Sequence, residues 1–126
     1  MAQAAHAAHV SDGKVAKAVL VRAGDGYMLA VVPASRQVRF ERLQAWLGQP
    51  VRLAEEDESV SLFPDCDLGA IPPVGGAFGL ETVMDESLSE ADDVYFEGGD
   101  HRTLVHMDAD EWRKLMKDSP RSAFSI

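Results

Sequence analysis

The sequence predicts a single α+β domain rich in antiparallel strand pairs. Three observations carry that expectation. Two β-rich runs, residues 15–22 and 27–32, are joined by the glycine-rich turn Ala23-Gly24-Asp25-Gly26, which suits a tight hairpin. Two later segments place apolar residues at helical spacing. No repeat, linker or low-complexity tract divides the 126 residues, so one unit spanning 1–126 is expected. A chain of this size buries roughly two-thirds of its unfolded surface, enough for a core without disulfide or metal.

The elements follow in order. Residues 1–10 are Ala-rich and helix-prone, and Ser11-Asp12-Gly13 is a stop. Pro33 ends the second strand. Phe40, Leu43, Trp46 and Leu47 form the apolar stripe of an amphipathic helix, with Gly48 as its C-terminal cap. Residues 51–54 read as a short strand. Residues 55–63 read as an acidic helix with Val60 and Phe63 inward and Pro64 as its stop. Residues 65–79, with four glycines and two prolines, form a loop with unusual backbone demands. Residues 82–85, 94–97 and 103–107 are strands, the last two joined by Gly98-Gly99-Asp100. Residues 108–117 close as a helix. Asp108 and Glu111 sit at capping-box spacing, and Trp112, Leu115 and Met116 share one face.

Charge narrows the function. Twenty-one acidic groups against 12 basic ones give a net charge of -9, whereas a protein held to nucleic acid by overall charge is basic. The charge is also unevenly spread. Residues 1–52 carry Lys14, Lys17, Arg22, Arg36, Arg39, Arg42 and Arg52 against Asp12, Asp25 and Glu41, so the first part is basic and the remainder strongly acidic. The lone Cys66 excludes an internal disulfide. The start MAQAAHAAHV lacks a basic n-region and a long apolar stretch, and no window reaches the roughly 20 apolar residues of a membrane span, so a soluble cytoplasmic protein is expected.

Several chemistries drop out. There is no G-x-S-x-G elbow and no G-x-x-x-x-G-K-[ST] phosphate loop. Cys66 lies between Asp65 and Asp67, whose carboxylates disfavour a thiolate. His6 and His9 have no completing ligand nearby, and His101 and His106 are separated by an odd number along one strand, which points them to opposite faces. Asp108 and Asp110 lack the rest of a calcium loop. No metal and no cofactor is expected.

What remains is a constellation of three pieces. Lys17 sits in the apolar run Val15-Ala16-Lys17-Ala18-Val19-Leu20-Val21, where alternation puts it on one face with Val15, Val19 and Val21. Such a lysine either snorkels at the strand's edge or is held in a cleft for electrostatic work. The loop Gly69-Ala70-Ile71-Pro72-Pro73-Val74-Gly75-Gly76 combines stiff prolines with glycines that permit close approach; the alternative is a structural turn. Gly98-Gly99-Asp100-His101 offers a tight turn followed by a titratable ring, and alone it is an ordinary hairpin.

Together these pieces resemble the YbaK-like aminoacyl-tRNA deacylase family, which includes the editing domain inserted in bacterial prolyl-tRNA synthetases. The resemblance runs in order from about Val15 to Leu115. It passes through Leu29-Ala30-Val31-Val32-Pro33-Ala34, then Leu62-Phe63-Pro64 on to Pro72-Pro73, then Glu81-Thr82-Val83-Met84-Asp85. It ends on Val94-Tyr95-Phe96-Glu97-Gly98-Gly99-Asp100-His101 and the helix containing Asp110-Glu111-Trp112.

The resemblance implies a mixed, mostly antiparallel, barrel-like sheet flanked by helices. It implies hydrolysis of the ester joining a wrong amino acid to the 3′ end of tRNA, with tRNA-Pro carrying Ala or Cys as the expected substrate. Lys17 would be the residue most tied to activity, holding the terminal phosphate or polarising the carbonyl. His101 would orient water or the substrate amine. Gly69, Ala70, Ile71, Pro72 and Pro73 would shape the aminoacyl pocket, with Gly98, Gly99 and Ala18 lining it. An activated ester needs only positioned water, a cation and backbone donors. Two departures from the family pattern stand out. Ala18 replaces the Thr or Asn common after the lysine, and the segment before Lys17 is shorter than in relatives. The rival expectation is a non-catalytic module of the same fold that binds an aminoacyl-adenosine-like ligand or a synthetase. Expected partners are the aminoacyl-tRNA 3′ end and a synthetase presenting it, with no membrane, and a monomer or weak homo-oligomer. The acidic balance predicts weak tRNA binding with a shallow salt dependence.

Overall fold

The computed structural model describes residues 12–66, 70–73, 79–89, 91–100 and 102–126. The expected helix over residues 1–10, with His6 and His9, lies outside the described residues, as do Asp67, Gly69 and His101.

Strands β1 (Ala16–Ala23) and β2 (Gly26–Pro33) form the expected hairpin, in a register running from Ala16 opposite Pro33 to Ala23 opposite Gly26. β3 (Val51–Leu53) pairs antiparallel with the far end of β1, from Val21 opposite Leu53 to Ala23 opposite Val51. β4 (Glu81–Asp85) runs parallel to β2, and β7 (Arg121–Ser122) runs parallel to β4, giving the order β3-β1-β2-β4-β7. β5 (Asp93–Glu97) and β6 (Leu104–Asp108) form a second antiparallel hairpin, tied to the sheet by a bridge between Val15 and Tyr95.

Helices cover the sheet. α1 (Phe40–Leu47) ends at Gly48, whose φ of 69° is left-handed and whose N–H donates to the Gln44 carbonyl. α2 (Glu56–Leu62) begins at a capping box between Glu55 and Glu58. α3 (Ala109–Met116) carries the capping box expected of Asp108 and Glu111.

Both faces of β1 and β2 are packed, which explains why β2 is a continuous apolar run rather than an alternating one. On one face Val21, Met28, Ala30, Val32, Leu43 and Phe124 pack together. On the other, Ala16, Val31 and Met84 meet Phe96, Trp112 and Met116, and further along Leu20 and Leu29 meet Phe63 and Ile71. The Trp112 indole N–H is satisfied by the Leu88 carbonyl at 3.2 Å. Phe63 is buried at 2% exposure as expected, but Val60 is not: it is 53% exposed. α2 has only seven residues and buries none of them; Glu58 and Ser59 are its half-buried positions, and Val60 is left to solvent.

Asp85, 1% exposed, is the main buried polar anchor. It accepts from the amides of Phe124 at 3.0 Å and Ser125 at 3.1 Å, and from the amide and hydroxyl of Ser87. Desolvation pushes its pKa up, but the Ser87, Phe124 and Ser125 donors outweigh that and hold it below the usual aspartate value. Thr82 behaves differently, since its hydroxyl oxygen is buried with no hydrogen-bond partner. Thr82→Val keeps the shape and removes the unpaired hydroxyl, so urea unfolding is expected to show a gain of about 1 kcal/mol.

Candidate functional site

The sheet creates a cleft at its own edge. The Val15 carbonyl accepts from the Ala34 amide on the β2 side, while the Leu20 carbonyl accepts from the Ala54 amide at 3.0 Å on the β3 side. Backbone groups alternate sides along a strand, so odd-numbered residues of β1 face β2 and even-numbered ones face β3. β3 covers only the far end of β1. The chain then turns away at Ala54 and Glu55 into α2. Beside the uncovered stretch lies a cleft of about 340 Å³, lined by Lys17, Ala18, Leu20, Leu53, Glu56 and Ile71 among others.

Three of the residues expected in the site are thereby brought together: Lys17, Ala18 and Ile71. Lys17 is half-buried, and burial pulls its pKa below the usual lysine value. Ile71 and Ala70 are both buried, with Ile71 packed against Leu20, Leu29 and Phe63. Pro73 is also buried and Pro72 partly so. Of the described residues of this loop, Ile71 lines the cleft.

The Gly98–Gly99 turn joins the same loop from the other side. Gly99 N donates to the Ala70 carbonyl at 2.9 Å, and Gly98 N donates to the Thr103 carbonyl at 3.0 Å. Gly99 has φ of 105°, a conformation L side chains rarely adopt, and a β-carbon there would stand 3.7 Å from the Cys66 sulfur. Asp100 accepts from the amides of Arg102 and Thr103, and those donors lower its pKa. The turn is therefore built from within, and it touches the Ala70 backbone rather than the cleft lining. His106, across the hairpin, pairs with Asp93 at 2.9 Å and stacks on Tyr95. Among the described residues no three His, Cys, Asp or Glu side chains gather as a metal site.

The opposite wall was not foreseen. Leu53, Ala54, Glu55, Glu56 and Ser59 enter the cleft from the junction of β3 and α2. The capping box at Glu55 and Glu58 was the available local signal, since it fixes where the strand gives way to the helix. The start of α2 is held by Glu58, which accepts two N–H bonds from Arg52 at 2.9 and 3.2 Å, the Glu55 amide and the Tyr27 hydroxyl. Arg52, then the Glu55 amide, then Tyr27 hold the Glu58 pKa down to about 2. A carboxylate depressed in the folded state stabilises above its unfolded pKa, and that stability fades as pH falls toward the folded value. The Glu58→Gln variant is accordingly expected to melt below wild type at neutral pH. In thermal scans the gap should narrow from about pH 4.5 downward and close near pH 2.

The family model for the aminoacyl-tRNA editing domain matches residues 1–115, and the chain belongs to that family. It is 35% identical over 74 residues to proline–tRNA ligase of Thermosipho africanus, covering 58% of this chain and 13% of that protein. It is 34% identical over 74 residues to proline–tRNA ligase of Pseudothermotoga lettingae, again over 58% of this chain and 13% of that protein. The match thus spans only a small part of those synthetases. A solved structure described as a candidate trans-editing enzyme for prolyl-tRNA synthetase superposes with a TM-score of 0.85 at 24% identity, over 100% of this chain and 80% of that one. A hypothetical protein superposes with a TM-score of 0.84 at 26% identity, over 99% of this chain and 83% of the other. The mixed, mainly antiparallel fold is thus that of the YbaK-like editing domains. Among the described residues, no helix is long and apolar enough to cross a membrane.

Proposed function

We propose that this chain hydrolyses the 3′ aminoacyl ester of a mischarged tRNA in trans, with tRNA-Pro bearing Ala or Cys as substrate. The observation that carries this reading is the cleft joining Lys17 and Ala18 of β1 to Ile71 of the Gly-Pro loop, in a chain of the editing family. Water attacks the ester carbonyl carbon, and the bond to the ribose oxygen breaks. That oxygen takes the proton from water, leaving a free amino acid and a tRNA with its terminal hydroxyl restored. The ester is already activated, so a cation and positioned donors suffice without a protein nucleophile. Lys17 supplies the cation, polarising the carbonyl or holding the terminal phosphate. His101 orients water or the amine, and residues 69–73 confine the aminoacyl group, with the Gly98–Gly99 turn bracing that loop through the Ala70 carbonyl. A second pocket is what small amino acids require, because one methylene gives a synthetase too little discrimination.

The reaction occurs at the acceptor end alone, which reconciles a net charge of -9 with a tRNA substrate. A synthetase that presents the 3′ end would compensate for weak binding. The deciding measurement is release of labelled amino acid from a panel of mischarged tRNAs. Rates above buffer for Ala- or Cys-tRNA-Pro are expected. Rates equal to buffer on every tRNA would leave the non-catalytic binding module as the reading.

A further inference from the structure

We propose that the aminoacyl group docks on the open edge of β1 as a one-residue strand, pairing with the backbone of Ala18. This rests on the deacylase reading and deepens it by naming what holds the substrate. On the β3 side, Leu20 opposite Ala54 and Arg22 opposite Arg52 occupy successive hydrogen-bonded positions of the ladder. The next such position on β1 is Ala18, and its partner in the same register would be Glu56. But Glu56 is the first residue of α2, so the partner strand has already left the sheet. No strand among the described residues covers Ala18 on that side, and Ala18 lines the cleft. Its N–H and C=O therefore face the space where a substrate fits.

An aminoacyl ester offers the complementary pair. Its α-ammonium is a donor, and its carbonyl oxygen is an acceptor one carbon away, the same arrangement as a residue in a strand. Docked antiparallel, the ammonium donates to the Ala18 carbonyl and the ester carbonyl accepts from the Ala18 N–H, as in recognition by strand addition. The N–H then stands where negative charge grows on the carbonyl oxygen as water attacks. The carboxylates of Glu55 and Glu56 on the facing wall complement the ammonium. Residues paired this way carry their side chains on the same face, with β-carbons roughly 5 Å apart. The substrate side chain thus shares the face of Ala18, beside Leu20 and Ile71. The small alanine side chain leaves room for it and so acts as a size gauge.

The test replaces the Ala18 amide with an ester by incorporating lactic acid at position 18, which deletes one N–H and leaves the side chain intact. On Ala-tRNA-Pro, kcat is expected to fall about 100-fold, the usual cost of losing one oxyanion donor. An unchanged kcat overturns the proposal. Ala18→Val keeps the N–H and reads the side-chain face independently. It should lower kcat/KM progressively as the aminoacyl side chain grows from Gly to Ala to Cys, and an equal effect on all three overturns the proposal. If wild type hydrolyses no ester, titration with amide-linked 3′-alanylamino-adenosine separates the two readings. Binding that is lost in the lactic acid variant and weakened for the desamino propionyl analogue supports edge docking without catalysis. No binding, or binding indifferent to both changes, overturns it.

Discussion

Lys17→Ala is expected to lower kcat/KM on the best mischarged tRNA by about 100-fold, the scale of losing one charge-stabilising group. Folding should be nearly unaffected. Burial disfavours the charged lysine, so its folded pKa lies below the unfolded value. For a lysine that sign means the charged form costs stability at neutral pH, and the cost disappears once pH rises through the usual lysine range. Lys17→Met retains the apolar stem and removes the charge. It should therefore lose as much activity as Lys17→Ala yet melt no lower than wild type at pH 7, with any stability advantage vanishing in alkaline solution. Lys17→Arg keeps a cation on a different geometry and should recover part of the rate. Wild-type turnover by Lys17→Met would remove the lysine from the mechanism. A melting temperature well below wild type would make its role structural instead.

Asp85→Ala is expected to be the most damaging single polar substitution, at about 3 kcal/mol. The carboxylate receives the amides of Phe124 and Ser125, both buried residues, and its loss strands two buried donors. Phe124 is itself fully buried against Leu43 and Val83 and stacks on Trp46, so releasing this segment opens one face of the sheet. Thermal unfolding should show a drop of roughly 10 °C for a domain of this length. Asp85→Asn keeps the size and one acceptor oxygen, so it should fall between the two. The sign of the acid dependence follows from the lowered pKa. The Asp85 contribution is present above the unfolded aspartate value of about 3.9 and is lost as pH falls below it. The gap between wild type and Asp85→Asn should therefore shrink on acidification.

Much of the fold was legible because its determinants are local. The β1–β2 hairpin follows from two apolar runs around Gly24-Asp25, and the start of α3 follows from Asp108 and Glu111 three residues apart. α1 follows from an apolar stripe ended by Gly48. Where sequence reasoning fell short, the deciding contact was distant or the element too short to show a period. β7 is only Arg121–Ser122, far below the length at which alternation can be read. Val60 has the apolar character of a core residue, yet α2 turns Glu58 and Ser59 inward and presents Val60 to solvent.

The candidate site divides in the same way. Lys17, the Gly-Pro loop and the double-glycine turn were visible as chemical oddities in the chain, and their order carried the resemblance to the editing family. Their union was not visible. Gly99 meets Ala70 through a backbone hydrogen bond, and Ile71 packs against Leu20 from a distant part of the chain. By itself the sequence determined which residues carry unusual chemistry, because side-chain identity, alternation and capping act over a few residues. Only the tertiary structure decided that β3 ends early and that no strand among the described residues pairs with β1 at Ala18 on that side. An edge is open or closed according to where a remote partner strand turns away, and here that point is set by the capping box at Glu55 and the Arg52–Glu58–Tyr27 contacts that hold it.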